Sequence, residues 1–481
     1  MITLHNIQAI VLAAGSSSRF KTGKTKLVEK ICGQEMILYP TKLLHELNIP
    51  TTMVVGFQKE YVQTAVSQQL ENTTFVVQES QQGTGHAIAC SRSTWQEDTL
   101  LIMNGDMPLV TRDIIEQLYT HHHASNAAVS FVIAHNADPS LQGYGRVIQE
   151  DNRVLEIIEA KEFRGDPHQH CCINAGIYLV KRSFLETIID EFKQSNISKE
   201  FYFTDIVKLA NERNLPVTTT VAPFDRIRGI NTFQELWIAE QIKRAELIRY
   251  WMECGVHFSA AQNVHIDVGV TIGVGTRIGC GVHLLGRTTI GSHTNIHEFS
   301  SLENSTIGDH VKVYAHCIIK DTTIDAHAQV GPFAHLHHEV HIGSETIIGN
   351  FVEMKKTTIG TQSKAKHLAY LGDATIGSHV NIGAGTITCN HNGSKKNPTT
   401  IADHAYIGTN NSLVAPVTIG NNAYTAAGSV ITDDVPAYAL AIGRARQVTK
   451  EGYVHTMKEA QQQQVEPAQP ATDIPKLSST P

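Results

Sequence analysis

The chain is short of the features that mark secreted, membrane-spanning or nucleic-acid-binding proteins. Only 8 of its 481 residues are cysteine, none in a C-x-x-C pair and only Cys171 and Cys172 adjacent. That scarcity fits reduced thiols and argues against a disulfide framework or a cysteine-ligated zinc site. No apolar run approaches the ~20 residues a bilayer core demands, so stable membrane insertion is not expected. The apolar stretch 7–15 has no Lys or Arg before it, and Arg19, Lys21, Lys24 and Lys26 follow directly. It therefore reads as a strand feeding a polar loop, not as a signal peptide, and the expected location is the cytoplasm. A formal net charge of -7 with no long basic run leaves no electrostatic footprint for nucleic acid. Small anions held in a local basic pocket are the expected partners.

A chain of this length exceeds what one core supports, so two domains are expected. Over residues 1–231, short apolar runs such as QAIVLAA, TTMVVG and DTLLIMNGD alternate with helical patterns. That alternation predicts an α/β domain with a Rossmann-like, mostly parallel mixed sheet, whose ligands gather at the carboxyl ends of the strands. Thr232 and Glu235 form a capping box, and Ile238, Ile242, Ala245, Ile248 and Met252 follow at helical spacing, which predicts a linking helix over 232–254. From there aliphatics recur every six residues at Ile266, Ile272, Ile278, Leu284, Ile290, Ile296 and Leu302. Seven in register arise by chance on the order of once in 10^5. The repeat resumes after one-residue slips and predicts an all-β parallel β-helix of hexapeptide coils over 255–453. Two interruptions, 363–373 (SKAKHLAYLGD) and 388–400 (TCNHNGSKKNPTT), are expected to leave the stack as loops. The tail, 454–481, is expected to be disordered.

Several stretches in one order carry a resemblance: LAAGSSSRF with Lys26, QGTGHA, NGD, GYGR, INAGIY, NFVEMKK, KAKHLAYLGD, VNIGAGTITCN and LVAPVTIG. Together, over roughly residues 7–453, they resemble the bifunctional bacterial N-acetylglucosamine-1-phosphate uridyltransferase and glucosamine-1-phosphate N-acetyltransferase. The resemblance implies a homotrimer of left-handed β-helices making UDP-N-acetylglucosamine for peptidoglycan and lipopolysaccharide precursors, with UTP and acetyl-CoA as co-substrates and Mg2+ at the uridyltransferase site. It implies that Arg19 and Lys26 contact the triphosphate and that Asp106 and Asn231 hold the metal. Leu12, Ala13, Gly15, Gln78, Gly83 and Thr84 fall on nucleotide positions, and Gly145, Glu159 and Asn174 on positions that hold the N-acetyl sugar. In the second half His367 matches the catalytic base, with Glu353 a candidate to orient it. Lys355, Tyr370, Asn381 and Lys396 match sugar-phosphate and amine contacts, Asn390 lies near the base, and Thr409, Ala427 and Arg444 match acetyl-CoA positions. Read singly, each motif is equally a turn, a strand end or a solvated side chain.

Two departures and two rival readings accompany the resemblance. The stretch GPFAHLHHE puts His337 where the family has an arginine, so a permanently charged fork becomes a ring that ordinarily titrates near 6.5. The expected result is a raised KM for glucosamine-1-phosphate that worsens above about pH 6.5; a flat pH–rate profile from pH 6 to 8 would contradict it. The SSS after Gly15 also replaces a more glycine-rich phosphate loop, and 18–25 (SRFKTGKT) falls one residue short of a Walker loop and sits too far past its strand. Histidines at 316, 327, 335, 337, 338 and 341 admit a zinc hydratase-type solenoid. A solenoid that only trimerises the chain is the remaining alternative.

Overall fold

The computed structural model describes residues 3–135, 143–151, 153–166 and 171–463. Its first sheet is nine-stranded, and the order of its main path, by first residue, is Val217, Val129, Cys172, Thr99, Ile7, Thr51, Thr73. The strand Ile7–Ala13 runs parallel to both its neighbours, Thr51–Val55 and Thr99–Asn104. Cys172–Lys181 runs antiparallel to both of its main-path neighbours, so the sheet is mixed. Successive residues of a strand face opposite sides, and Ile7–Ala13 divides accordingly. Ala9, Val11 and Ala13 pack into one apolar cluster, while Ile10 packs into the other. Both faces are therefore covered, which accounts for an unbroken apolar run where a half-exposed strand would alternate. Because four strands of this region are parallel, Ala13, Val55, Val77 and Asn104 end at one edge, and the loops that follow them meet there.

The linking helix is Phe233–Glu253, entered through the expected cap: Glu235 N donates to Thr232 Oγ1 at 3.1 Å, and the Glu235 carboxylate accepts from Asn231 N at 2.7 Å. Leu236 and Ala239 pack on Phe20, Ile31, Met36 and Leu109. Ile248 lies against the first coils of the solenoid.

The solenoid is a left-handed parallel β-helix. One wall carries Ile272, Ile290, Ile307, Ile324, Ile342, Ile359, Ile376, Ile401 and Ile419, each paired with the next. From Ile272 to Ile290 is 18 residues, three hexads; from Ile290 to Ile307 is 17, one hexad having lost a residue. The slips in the sequence period are thus shortened coils. From Ile376 to Ile401 is 25, and that surplus is the expected loop. Chain leaves the strand Ile387–Cys389, is closed by a bridge between His391 and Lys396, and returns at Thr399–Ile401.

The other expected loop is a correction. Lys364–Gly372 is a nine-residue strand in the coil wall, paired in parallel with Ile347–Lys355. Ala365, Ala369 and Leu371 are buried while Lys364, Lys366 and His367 are exposed. Its polarity is that of an outer face, which a stacked coil must possess on every wall. The tail also differs in part: Tyr453–Gln463 is an exposed helix, and the remainder, 464–481, lies outside the described residues.

Three of the six crowded histidines, His316, His327 and His338, occupy coil corners, as do four others of the solenoid. His293, His310, His316, His327, His338, His379 and His404 all have φ between 54° and 62°, a left-handed conformation that histidine tolerates better than most residues. Rings on successive coils stack, with centroids 4.9 Å apart for His310 and His327 and 4.8 Å for His379 and His404. A stacked ring presents its face, not its nitrogens, to its neighbour, so these columns stabilise corners and do not converge on an ion.

Candidate active sites

The edge where the parallel strands end holds two clefts, of about 370 and 260 Å³. Leu12, Ala13, Gly15, Lys26, Gln78, Gly83 and Thr84 line the first, and Gly145, Glu159, Asn174 and Asn231 line the second. Asp106, just past its strand, is in the wall of both. Lys26 Nζ lies 2.6 Å from Asp106 Oδ2 and 2.7 Å from Asn231 Oδ1, and Arg19 Nη2 donates to the same amide oxygen at 2.8 Å. The four residues come from three loops at least 80 positions apart yet form one hydrogen-bonded group.

The serine loop has a use of its own. Ser17, at φ 55°, turns its hydroxyl to accept from Lys26 N at 2.9 Å, and Thr25 caps the short helical turn that carries Lys26. Gly15 has open space around its α-carbon, so the backbone remains approachable. A serine loop thus does here what a glycine-rich one does by flexibility alone: it lets the chain turn and fixes a lysine.

Gln78 donates through its amide nitrogen to Gly83 O at 3.1 Å, and Thr84 Oγ1 accepts from Phe203 N at 3.0 Å. Gly83 sits at φ 103°, where a β-carbon would come 2.5 Å from the Phe201 carbonyl oxygen. Gly83→Ala is expected to lower stability by about 1–3 kcal/mol and raise the nucleotide KM, as checked by melting and by initial rates. In the second cleft Asn174 Nδ2 donates to Tyr178 OH at 2.6 Å and Glu159 accepts from Thr204 Oγ1 at 3.0 Å. Burial pushes the Glu159 carboxyl above the usual range, against the pull of that hydroxyl. Tyr144, which sequence reasoning passed over inside GYGR, accepts from Gly229 N at 3.0 Å, and burial pushes its phenol up to about 12.

Magnesium fits the donor set at Asp106. Asp106 Oδ2 and Asn231 Oδ1 already converge on one cation, the Lys26 ammonium, and both are the hard oxygen donors magnesium prefers.

On the solenoid, the residues singled out lie along adjacent strands of the outer wall. His337 stands in register with Lys355, and Glu353 with Tyr370. Asn390 Nδ2 is 3.4 Å from Tyr370 OH and 2.5 Å from Asp373 Oδ2, and Lys396 Nζ is 3.9 Å from the same carboxylate. Asp373, not anticipated, thus ties the excursion 388–400 to the wall. Asn381 pairs with Lys364 and Tyr406. Thr409 and Ala427 follow one another on successive coils, Gly428 N donating to Thr409 O at 2.8 Å, and Arg444 lies exposed beside Gly428.

His367 is exposed, and its partner is not Glu353. Its Nδ1 is 3.0 Å from Asn350 Oδ1, the residue directly across in register, whereas Glu353 contacts His337 Nε2 at 3.2 Å. Side chains three positions apart face different ways in a strand, so Glu353 was the wrong choice. The 17-residue coil spacing, from Asn350 to His367, was the signal that would have found the right one.

An α/β nucleotidyltransferase edge followed by a hexapeptide solenoid defines a two-part transferase. Residues 9–173 match the MobA-like NTP transferase domain, and residues 321–356 and 398–433 match the bacterial transferase hexapeptide (six repeats). Over 452 residues the chain is 41% identical to the bifunctional protein GlmU of Geotalea daltonii, covering 93% of this chain and 98% of that one. It is 37% identical to that of Alkaliphilus metalliredigens over 452 residues, and 39% to that of Thermotoga petrophila over 450, each covering 93% of this chain and 98% of the relative. The chain belongs to the family of bifunctional GlmU proteins.

Proposed function

We propose that this enzyme acetylates glucosamine-1-phosphate with acetyl-CoA on its solenoid and joins the product to UMP at its α/β edge, yielding UDP-N-acetylglucosamine for cell-wall precursors. The observation that carries the reading is the junction at Asp106, which stands in the wall of both clefts, with Asn231 beside it in the second and the cations of Arg19 and Lys26 bonded to the pair.

In the uridylyl step a phosphate oxygen of the acetylated sugar attacks the α-phosphorus of UTP. The bond to the β-phosphate breaks, and pyrophosphate leaves. Charge accumulates on the leaving group, so positioned cations carry most of the catalysis. Lys26 and Arg19 supply them, released from Asp106 and Asn231 toward the phosphates. Magnesium, when bound by Asp106 and Asn231, neutralises phosphate charge. Gln78, Gly83 and Thr84 face the base, and Glu159, Asn174 and Gly145 face the sugar.

In the acetyl step the sugar amine attacks the thioester carbonyl, the C–S bond breaks, and CoA leaves as the thiol. With the Asn350 oxygen on Nδ1, the ring hydrogen belongs on Nδ1 and Nε2 of His367 keeps its lone pair for the amine proton. A homotrimer is supported by the column Phe299, Phe333, Phe351 and Leu368, each 48–61% exposed at one corner of the prism. Leu368 adjoins His367, so a neighbouring subunit covering that column also closes over the base.

Incubation with glucosamine-1-phosphate, acetyl-CoA, UTP and magnesium tests both halves, with free CoA and pyrophosphate measured separately. Both products are expected. Pyrophosphate formed only when acetylated sugar phosphate is supplied, with no CoA released, would reduce the solenoid to a trimerisation device.

A further inference from the structure

His335 and His337 are two positions apart on the strand His335–His337, so both project from the outer wall. On the next coil Glu353 stands in register with His335. The nitrogens of both rings and a Glu353 oxygen lie within 4.8 Å of one another. Among the described residues no other trio of His, Cys, Asp or Glu side chains brings its ligand atoms together in this way. Tetrahedral bonds of about 2.1 Å put the ligand atoms of one zinc roughly 3.4 Å apart, so modest rotations about side chains that reach solvent close the set.

The contacts around the trio agree. His337 Nδ1 is 2.5 Å from His338 Nδ1, and its Nε2 faces the Glu353 carboxylate at 3.2 Å, so a ring nitrogen and a carboxylate oxygen already point at one another across adjacent coils. His335 and His337 are also stacked, with centroids 4.2 Å apart and ring planes 11° from parallel, so a shared ion requires the rings to turn; what sets them apart from the stacked corner histidines is the Glu353 carboxylate beside them.

We infer that His335, His337 and Glu353 bind one zinc-class divalent ion, whose open fourth position takes a phosphate oxygen of the sugar substrate. Two histidines, a carboxylate and a vacant position form a recurrent zinc set. The phosphate half of the inference rests on the proposed function, because Lys355, opposite His337, is a sugar-phosphate position only on that reading. On it, the ion restores the fixed positive charge that a histidine in place of arginine removes.

Full-length protein stripped with chelator, re-equilibrated with Zn2+ or Co2+ and gel-filtered should retain one ion per chain, with a tetrahedral Co2+ spectrum. His335→Ala and Glu353→Gln should each lose it, while His310→Ala, in a stacked corner column, should retain it. No retained metal, or retention undiminished in His335→Ala, overturns the site. Zinc should also lower the KM for glucosamine-1-phosphate in the unaltered enzyme and not in His335→Ala. Metal bound at the trio without that change overturns the phosphate role and leaves the ion site standing. Metal bound by a protein that never releases CoA would instead sink the acetyltransferase reading alone.

Discussion

Replacing His367 by alanine is expected to lower CoA release by about 10²–10⁴-fold, the usual contribution of a positioned general base, while pyrophosphate release from UTP and N-acetylglucosamine-1-phosphate persists. Stability should hardly move. The side chain is exposed, its one polar contact among the described residues is Asn350, and the strand beneath is held by buried Ala365, Ala369 and Leu371; exposed substitutions away from packing usually stay within about 0.5 kcal/mol. Asn350→Ala separates orientation from chemistry. It leaves the base and removes only the acceptor on Nδ1, so kcat should fall less than in His367→Ala. A drop in both activities together with melting temperature would mean that His367 serves the fold. CoA release unchanged in His367→Ala would remove it from the reaction.

The two halves of the molecule were legible to different depths for physical reasons. The solenoid's coils were readable because each hexad must bury one aliphatic, a demand repeated at every turn from Ile266 onward. What period alone could not supply was which polar segments leave the stack. Residues 363–373 and 388–400 are similarly polar, yet only the second adds length to a coil, so the arithmetic from Ile376 to Ile401 was the discriminating quantity. Histidine count misled in the same way. Three of the six crowded rings, His316, His327 and His338, stand at left-handed corners for backbone reasons, while His335 and His337 lie on a flat wall beside a carboxylate. In the α/β half the residues lining the clefts could be named from motifs, but their mutual contacts could not. Lys26 reaches Asn231 across 205 positions, and nothing local in either segment encodes that meeting. It follows from the parallel register of the sheet, which brings the ends of separate strands to one edge.

That meeting makes Asp106 the residue whose replacement should discriminate most sharply between the two activities. Asp106→Asn is expected to lower pyrophosphate release by about 10²–10³-fold, the scale on which one positioned electrostatic group contributes, with CoA release retained. The pair with Lys26 is mostly shielded, at 12% and 18% side-chain exposure, and stripping one partner from a fully buried pair costs about 3–5 kcal/mol. A purely structural pair would therefore show itself as a fall in melting temperature. The geometry points to a smaller loss, because Lys26 keeps its 2.7 Å bond to Asn231 Oδ1 and the cleft is open to water. The asparagine oxygen can also still accept from Lys26. What it cannot do is hold a divalent cation against triphosphate with a full negative charge, so the deficit should shrink as magnesium is raised. A deficit that ignores magnesium concentration, or a melting temperature that falls in step with both activities, would assign Asp106 to the fold and leave the junction of the two clefts without its metal ligand.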